Sequence, residues 1–244
     1  MNTNIVDPYF KVEVVAQTSN PQQLIWLSAH QCVCEGAAID DTLPPEDKAG
    51  EYAIKHLLAG GRGHYSPLEA PQISFNVIGF NHGTMQQIRT HRIGVHFSVQ
   101  SGRYTGQRIL DVVSGVRDAE EVFYLRPLGE YSDRDGKRYE YEEGMRQGDR
   151  AICINLAERY AFKIQEGYSE EHARGLIPFD VRQHFVMSVN VRSLMHLLDL
   201  RSKADAQLEC RQLCELIFPH FEKWTPAIAQ WYKENRLGKA KLSP

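Results

Sequence analysis

The chain has 244 residues, and its 28 lysines and arginines against 31 aspartates and glutamates leave a net charge of −3. This balance argues against a general nucleic-acid or membrane-surface binder and leaves any basic site local, so we expect small-molecule partners, no nucleic acid and no membrane. The length suffices to bury a substantial core, and no Pro/Gly/Ser-rich linker interrupts it. We therefore expect a single domain over residues 1–244.

The first half of the chain alternates between predicted strands and helices. Residues 21–31 predict a helix that begins after Asn20, with Pro21 at its first position. A later helix is predicted to stop at Gly60-Gly61. In chain order, the predicted elements are a strand over 10–14, a helix over 21–31, a helix over 46–58 and a strand over 73–78 that leads through a short helix or turn toward Gln87 and Arg92.

The second half is predicted to be mainly helical. Asp135-Gly136 either turns a hairpin or separates two helices. The predicted helices cover residues 144–165, with Ile152, Leu156 and Tyr160 on one stripe, then 181–200 and 205–221. Together the elements indicate an α+β fold with a mixed or antiparallel sheet flanked by helices.

Cysteine and histidine usage argues against a metal site and against export. The five cysteines are odd in number, and Cys32-x-Cys34 lacks a second pair at zinc-finger spacing. His64 and His91 are not spaced as helical metal ligands, so no metal is predicted. The first residues have no basic region followed by an apolar stretch, and no run approaches the ~18 apolar residues of a spanning helix. We expect a cytoplasmic protein with reduced thiols.

The segment from His91 to Tyr104 concentrates cations, amides, hydroxyls and glycines. Arg92 and Arg103 can each pair two phosphate oxygens in a fork geometry. Gly94 and Gly102 let the backbone of the segment approach a ligand closely. Chemistry alone leaves two interpretations open, a solvated basic face and a site for a phosphorylated, ring-bearing ligand. Ser101 does not lie in a Gly-x-Ser-x-Gly elbow, so we interpret it as a phosphate contact rather than a nucleophile.

Four blocks of the sequence resemble motifs of the flavin-dependent thymidylate synthases. Residues 87–92 followed by Gln100-Ser101-Gly102-Arg103-Tyr104 resemble the family's Arg-His-Arg, short spacer, Ser-x-Arg signature. The other three blocks are Gly63-His64-Tyr65-Ser66-Pro67-Leu68-Glu69, similar to Gly-His-x-Thr/Ser-Pro-x-Glu; residues 173–178, similar to Ala-Arg-x-x-Leu-Pro; and residues 190–201, similar to Asn-x-Arg-Ser-Leu-x-x-Phe/Leu-x-x-Leu-Arg. Order and approximate spacing agree over most of the chain.

The chain departs from the family pattern at four places. Thr90 stands where the family usually has its first arginine, and Arg89 is a candidate to supply that charge. Val99 stands at the usual acidic position, and His196 replaces the usual asparagine. One extra residue also separates the His-Arg pair from the Ser-x-Arg block. Thr90, Val99 and the extra residue are the positions where nucleotide recognition is expected to differ, whereas His196 belongs to the implied FAD contacts.

The resemblance implies a methyltransferase that reductively methylates dUMP to dTMP. The one-carbon unit would come from 5,10-methylenetetrahydrofolate, and the reducing equivalents from NADPH through bound FAD. The resemblance also implies the family's single-domain fold and a homotetramer whose subunits share active sites. Two alternatives stay open, a flavin-dependent enzyme acting on another pyrimidine nucleotide such as dCMP and a noncatalytic nucleotide-binding relative.

The resemblance further implies roles for individual residues. Arg201 would activate the substrate by hydrogen-bonding the uracil and favouring its N3-ionised form, with Arg174 as the second catalytic arginine. The implied nucleotide contacts are Gln87, Arg89, Thr90, Gln100, Ser101, Gly102, Arg103, Arg174 and Arg201. The implied FAD contacts are His64, Ser66, His91, Arg92, Ile93, Asn190, Val191, Arg192 and His196.

Asn190 and Arg201 allow a purely structural interpretation as well. Eleven residues of helix return to nearly the same face about 16 Å further along the axis, so the two side chains can contact separated parts of an extended ligand. Alternatively, Asn190 is a helix N-cap and Arg201 a terminal cation favoured by the helix dipole.

Overall fold

The computed structural model describes residues 6–61 and 63–239. The fold is α+β, and its strands form a four-stranded sheet in the order β1-β2-β6-β3 and a separate two-stranded sheet of β4 and β5. The strands are β1 (Lys11–Gln17), β2 (Gln72–Asn81), β3 (Val95–Val99), β4 (Gly129–Ser132), β5 (Arg138–Tyr141) and β6 (Arg182–Asn190). The helices are α1 (Pro21–Gln31), α2 (Glu46–Ala53), α3 (His82–Ile88), α4 (Gln107–Val113), α5 (Ala119–Val122), α6 (Glu143–Gln165), α7 (Glu170–Ala173), α8 (Val191–Arg201), α9 (Leu208–Trp224) and α10 (Pro226–Asn235).

The chain divides into two compact units. The first unit consists of residues up to 11, 77–86 and 99–185, and the second of residues 12–76, 87–98 and 186 onward. The expected single domain over residues 1–244 stays a prediction. Among the described residues, every helix is too short or too polar to cross a membrane.

The predicted elements of the first half are confirmed, with shifts at their ends. α1 begins at Pro21 as expected, but Asn20 makes no side-chain cap and instead takes a left-handed backbone conformation with φ 49°. The second predicted helix is α-helical only to Ala53 and continues as one π-helical turn over Ile54–Leu58. Gly60 has φ 70°, a conformation that favours glycine and ends the helix.

Of the two interpretations of Asp135-Gly136, the hairpin is confirmed. β4 and β5 pair antiparallel, with Ser132 opposite Arg138. The Asp133 carboxylate accepts hydrogen bonds from the backbone N–H groups of Asp135 and Lys137, both at 2.9 Å. Gly136 adopts φ 84°, which a residue with a Cβ rarely takes.

The predicted helix over residues 181–200 is wrong in its first half. Residues 182–190 form strand β6, and α8 begins only at Val191. Phe185, Met187 and Val189 are buried at a spacing of two, the period of a strand, which the prediction of one continuous helix overlooked. The other late helices are confirmed, although α6 buries Cys153 and Ala157 beside Tyr160 and leaves the predicted stripe residue Ile152 exposed. Helix α10 was not predicted.

A buried ion pair organises one end of the first unit. The Arg182 side chain is 1% exposed and donates two hydrogen bonds to the Asp7 carboxylate, from Nη1 at 3.0 Å and from Nη2 at 2.8 Å. Its Nε donates to the carbonyl of Glu120 at 2.7 Å, and Nη1 also donates to the carbonyl of Gly79 at 2.8 Å. The ring of Tyr9 lies 4.6 Å from the guanidinium carbon. Such a pair offsets its desolvation only when both partners are present.

Candidate active site

The start of α8 connects two of the family-like blocks within the second unit. Asn190 is the helix N-cap, and its Oδ1 accepts a hydrogen bond from the Ser193 N–H at 2.8 Å. The Ser193 hydroxyl donates to the carbonyl of Ile93 at 2.8 Å. Gly94 has φ 66°, and a Cβ there would lie 2.3 Å from both Asn190 Nδ2 and Ser193 Oγ. The capping role expected for Asn190 is therefore confirmed, and Gly94 permits the close approach of the His91 segment.

Arg201, the last residue of α8, is held by three residues of the signature. Its Nε donates to His91 Nε2 at 3.1 Å, and Nη1 donates to Gln87 Oε1 at 3.4 Å. Nη2 donates both to the Gln87 carbonyl at 3.0 Å and to Thr90 Oγ1 at 2.9 Å. A guanidinium has five N–H groups, so these contacts leave one N–H on Nη1. We call Gln87, Thr90, His91 and Arg201 the Arg201 cluster.

His91 is a neutral, buried histidine in this cluster. Only 5% of the residue is exposed, and its Nε2 accepts from Arg201, so the ring proton resides on Nδ1. Burial, followed by the charge of Arg201 and the proximity of His196, lowers the pKa of His91 to about 4. Among the described residues, Nδ1 is buried and has no hydrogen-bond partner. A buried N–H without an acceptor destabilises the folded protein, so this donor is suited to a hydrogen-bond acceptor of a ligand.

The lowered pKa of His91 predicts an acid-sensitive fold. The folded protein favours the neutral ring, whereas the unfolded chain takes up a proton below its ordinary pKa of 6.5, so this stabilisation is complete above pH 6.5. It should decline as the pH falls from 6.5 to 4, by roughly 3 kcal/mol for this group. Urea unfolding of wild type at several pH values measures the decline.

Replacement of His91 by glutamine should flatten this pH dependence, while replacement of the exposed His96 by glutamine should leave it unchanged. An equally steep slope in the His91→Gln protein would contradict the assignment. Burial also lowers the pKa of His196 and of His184, which adds to the wild-type slope in the same direction.

The block around His64 meets the start of α8 through Arg192. The Arg192 guanidinium pairs with the Glu69 carboxylate at 2.5 Å and lies 5.7 Å from the centre of the Tyr65 ring. His64 and Ser66 themselves are exposed. The segment thus presents two polar side chains beside a cation that is already anchored from within the protein.

The remaining residues of the second unit that we predict to contact flavin or nucleotide differ in their solvent exposure. Ile93 is 86% exposed, whereas Val191 is fully buried. Arg89 and Arg92 are exposed, and neither forms an ion pair with any residue that the structure describes. Both arginines are therefore available to an anionic ligand, as the phosphate interpretation requires.

In the first unit, a turn presents the second half of the signature. The backbone N–H groups of Tyr104 and Thr105 donate to the carbonyl of Ser101, which closes the turn. Arg103 projects from it and pairs with Glu171 at 2.8 Å. Because both side chains are about half exposed, this pair contributes little, and a ligand oxyanion can replace the carboxylate. We call residues 101–104 the Arg103 turn.

Arg174 lies against this turn. A Cβ on Gly102 would be 3.5 Å from the Arg174 Cδ, so the glycine backbone and the arginine stem are neighbours. Arg174 is exposed, and within the described part of the chain it has no ion-pair partner. The Ser101 hydroxyl accepts from the Arg103 backbone N–H at 3.3 Å, so the turn and the neighbouring Arg174 combine a hydroxyl with two arginines, residue types suited to an oxyanion.

Two of the buried cysteines, Cys153 and Cys214, are not activated thiols. Burial raises the pKa of Cys153 to about 11 and that of Cys214 to about 12, so both are protonated at neutral pH. No group of three or more metal-binding side chains occurs among residues 6–61 and 63–239.

Sequence reasoning missed several residues that hold the predicted ones in place. Gln207 accepts a hydrogen bond from the Gln87 amide, and the Cys210 thiol lies 3.6 Å from Gln87 Oε1. Glu171 pairs with Arg103 from a distant part of the chain. Only Ser193 had a local signal, because its spacing of three residues from Asn190 is that of a helix cap.

The sequence is similar to a known protein family and to individual members of it. A family model described as thymidylate synthase complementing protein, Thy1, matches residues 13–227. The flavin-dependent thymidylate synthase of Halobacterium salinarum is 30% identical over 250 residues, covering 96% of this chain and 100% of that protein. The enzyme of the same name from Haloarcula marismortui is 31% identical over 253 residues, covering 96% and 99%.

Solved structures show the same fold at lower identity. The UMP/dUMP methylase PolB from Streptomyces cacaoi, bound with 5-Br dUMP, superposes with a TM-score of 0.74 at 20% identity, covering 96% of this chain and 97% of that one. Thymidylate synthase X from Helicobacter pylori, with FAD and dUMP, gives a TM-score of 0.67 at 20% identity, covering 89% and 99%. At these identities the likeness concerns the fold.

Proposed function

The chain belongs to the family of flavin-dependent thymidylate synthases, and from that premise we propose that it reductively methylates dUMP to dTMP. We propose 5,10-methylenetetrahydrofolate as the one-carbon donor and NADPH as the reductant, with FAD as the bound cofactor. The observation that carries the proposal is the Arg201 cluster. Signature residues separated by 110 positions meet there in direct hydrogen bonds.

The residues at the start of α8 fit a flavin nucleotide. The buried, unpartnered Nδ1–H of His91 offers a donor to a heteroatom of the ring system, and the glycine at position 94 keeps the adjacent backbone free of a side chain. Arg92 and Arg192 are suited to the pyrophosphate. The full set that we propose to hold FAD is His64, Ser66, His91, Arg92, Ile93, Asn190, Val191, Arg192 and His196. When bound, FAD supplies the hydride chemistry of the reaction.

We assign the nucleotide phosphate to the Arg103 turn and Arg174. Two guanidinium groups and a serine hydroxyl match the several acceptor oxygens of a phosphate monoester. Gln87, Arg89, Thr90 and Gln100 complete the proposed nucleotide contacts. The homotetramer that we expect would assemble each site from several subunits, so the base and the phosphate need not be held by one chain.

Arg201 is proposed to activate the pyrimidine. Its remaining Nη1–H can donate to a uracil carbonyl, and its positive charge favours ionisation at N3. His91, Thr90 and Gln87 fix the guanidinium before substrate arrives, which makes it a preorganised donor. The raised pKa values of the buried thiols agree with activation by charge and position rather than by a cysteine nucleophile.

The test is an assay of dTMP formation from dUMP that depends on both NADPH and methylenetetrahydrofolate. We expect product from dUMP, with dCMP and UMP run in parallel because the departures at Thr90 and Val99 concern nucleotide choice and because PolB is a UMP/dUMP methylase. Product from dCMP or UMP alone would replace the substrate assignment. No turnover with any nucleotide, in a protein loaded with FAD, would leave only the noncatalytic alternative.

Three further properties accompany the proposal. We propose that the chain works as a homotetramer, that it forms one domain across residues 1–244, and that it is cytoplasmic with small-molecule partners only. The family model supports the domain proposal, because its match over residues 13–227 includes segments of both compact units. Sedimentation analysis of the FAD-loaded protein tests the oligomer, and a monomer active at all concentrations would contradict it.

A further inference from the structure

A cavity of about 290 Å³ lies within the first unit, beside helix α4. Polar and charged side chains line most of it, among them Gln100, Arg108, Asp111, Arg117, Glu121 and His184. Of the residues that we assign to the nucleotide or to FAD, only Gln100 lines this cavity. The cavity is a separate candidate binding site with its own chemistry.

Arg108 brings a positive charge into the cavity without a carboxylate to neutralise it. Its Nη1 donates to the carbonyl of Arg182 at 2.6 Å, but its buried Nε has no partner among the described residues. Burial, and then the charge of Arg117, lower the pKa of Arg108 to about 10, so the side chain is charged at neutral pH. A partly desolvated guanidinium that has hydrogen bonds to spare fits a ligand carboxylate.

A second donor and an unpaired acceptor accompany Arg108. His184 Nδ1 accepts from the backbone N–H of Gly79 at 3.3 Å, so the ring proton resides on Nε2 and is available to donate. Gln100 Oε1 is buried and also lacks a partner among the described residues. Arg108 and His184 therefore both offer hydrogen-bond donors to an anionic group of a ligand.

The acidic side chains of the cavity supply the complementary charge. Arg117 Nε lies 3.1 Å from the Asp111 carboxylate, and Arg117 Nη1 lies 3.4 Å from the Glu121 carboxylate. One guanidinium shared by two carboxylates leaves one negative charge in excess. With Arg108, the cavity thus holds one uncompensated positive and one uncompensated negative charge, a pattern that disfavours a phosphate dianion.

We propose that this cavity binds a small zwitterion of the amino-acid class. The ligand carboxylate would accept from Arg108 Nη2 and His184 Nε2, and the ligand ammonium group would face the Asp111 and Glu121 carboxylates. This inference does not depend on the proposed methylation of dUMP, because the ligand contacts are made by groups outside the Arg201 cluster, the Arg103 turn and the other proposed nucleotide contacts.

The test is binding of L-serine to the full-length protein, measured by saturation-transfer NMR and by calorimetry without turnover. We expect saturable binding with a Kd below about 10 mM, and about tenfold weaker binding of acetate, which lacks the donor. Arg108→Gln should weaken L-serine binding about tenfold or more. Gln107→Trp changes an exposed residue at the cavity wall and retains Arg108, and it should also weaken L-serine binding. This variant tests the site if Arg108→Gln does not fold.

Arg150→Gln is the matched control, because Arg150 lies in the same unit and pairs with Asp118 at 2.8 Å outside the cavity. It should bind L-serine as wild type does. Three results would overturn the proposal: no saturable binding of L-serine, binding of acetate or inorganic phosphate as tight as that of L-serine, or displacement of L-serine by saturating dUMP. The last result would assign the cavity to the nucleotide instead.

Discussion

Replacement of Arg201 by alanine should reduce the turnover of dUMP by about 100- to 1,000-fold while FAD remains bound. The guanidinium is fixed by four hydrogen bonds within its own cluster, and its proposed task is to stabilise negative charge that develops on the pyrimidine. Loss of a preorganised donor of this kind acts on the chemical step. Steady-state kinetics with NADPH and methylenetetrahydrofolate, together with the flavin absorbance of the purified protein, measure both quantities.

Lys203→Ala serves as the control for the Arg201 variant. It removes a neighbouring cation that takes part in none of the hydrogen bonds of the Arg201 cluster. It should retain wild-type turnover. A lysine at position 201 keeps the charge but lacks the fork, so it should recover only a small part of the activity. Unchanged turnover of Arg201→Ala would refute the assigned role, and loss of FAD from this variant would make Arg201 a cofactor-binding residue.

Replacement of Asp7 by alanine should lower the free energy of unfolding by about 3–5 kcal/mol. Arg182 is 1% exposed, and without Asp7 its charge is left inside the protein among aromatic rings with only carbonyl partners. Chemical denaturation followed by circular dichroism measures the loss. A large fall in the unfolding midpoint with an unchanged denaturant slope is the expected signature.

Asp135→Ala is the matched control for the Asp7 variant, since the Arg134–Asp135 pair has side chains that are 92% and 78% exposed. Its effect should be close to zero. A double replacement of Asp7 by leucine and Arg182 by methionine should recover much of the stability, because it removes both buried charges. A loss below about 1 kcal/mol in Asp7→Ala would show that the guanidinium is solvated despite its burial.

The sequence predicted those helix ends and turns that depend on the backbone preferences of a few neighbouring residues. Pro21, the diglycine after α2 and the Asp-Gly pair of the hairpin each act through backbone conformation within a few residues, and each lies where it was predicted. The prediction missed strand β6 because this short segment of alternating burial leads directly into the apolar helix α8, and the two were joined as one element. Its neighbours in the sheet, β2 and β3, lie more than about 80 residues away in the chain, so this pairing left no local signal.

The sequence by itself determined the family, the α+β class and the identity of the arginines and histidines in the signature, because those depend on residue type and order. Only the tertiary structure decided what these side chains do to one another. His91 and Arg201 are 110 positions apart, and their contact sets the tautomer of His91. Burial first, and then the charge of Arg201, lower the pKa of His91 to about 4. Burial and proximity across the chain govern such properties, and neither is encoded in the spacing of a motif.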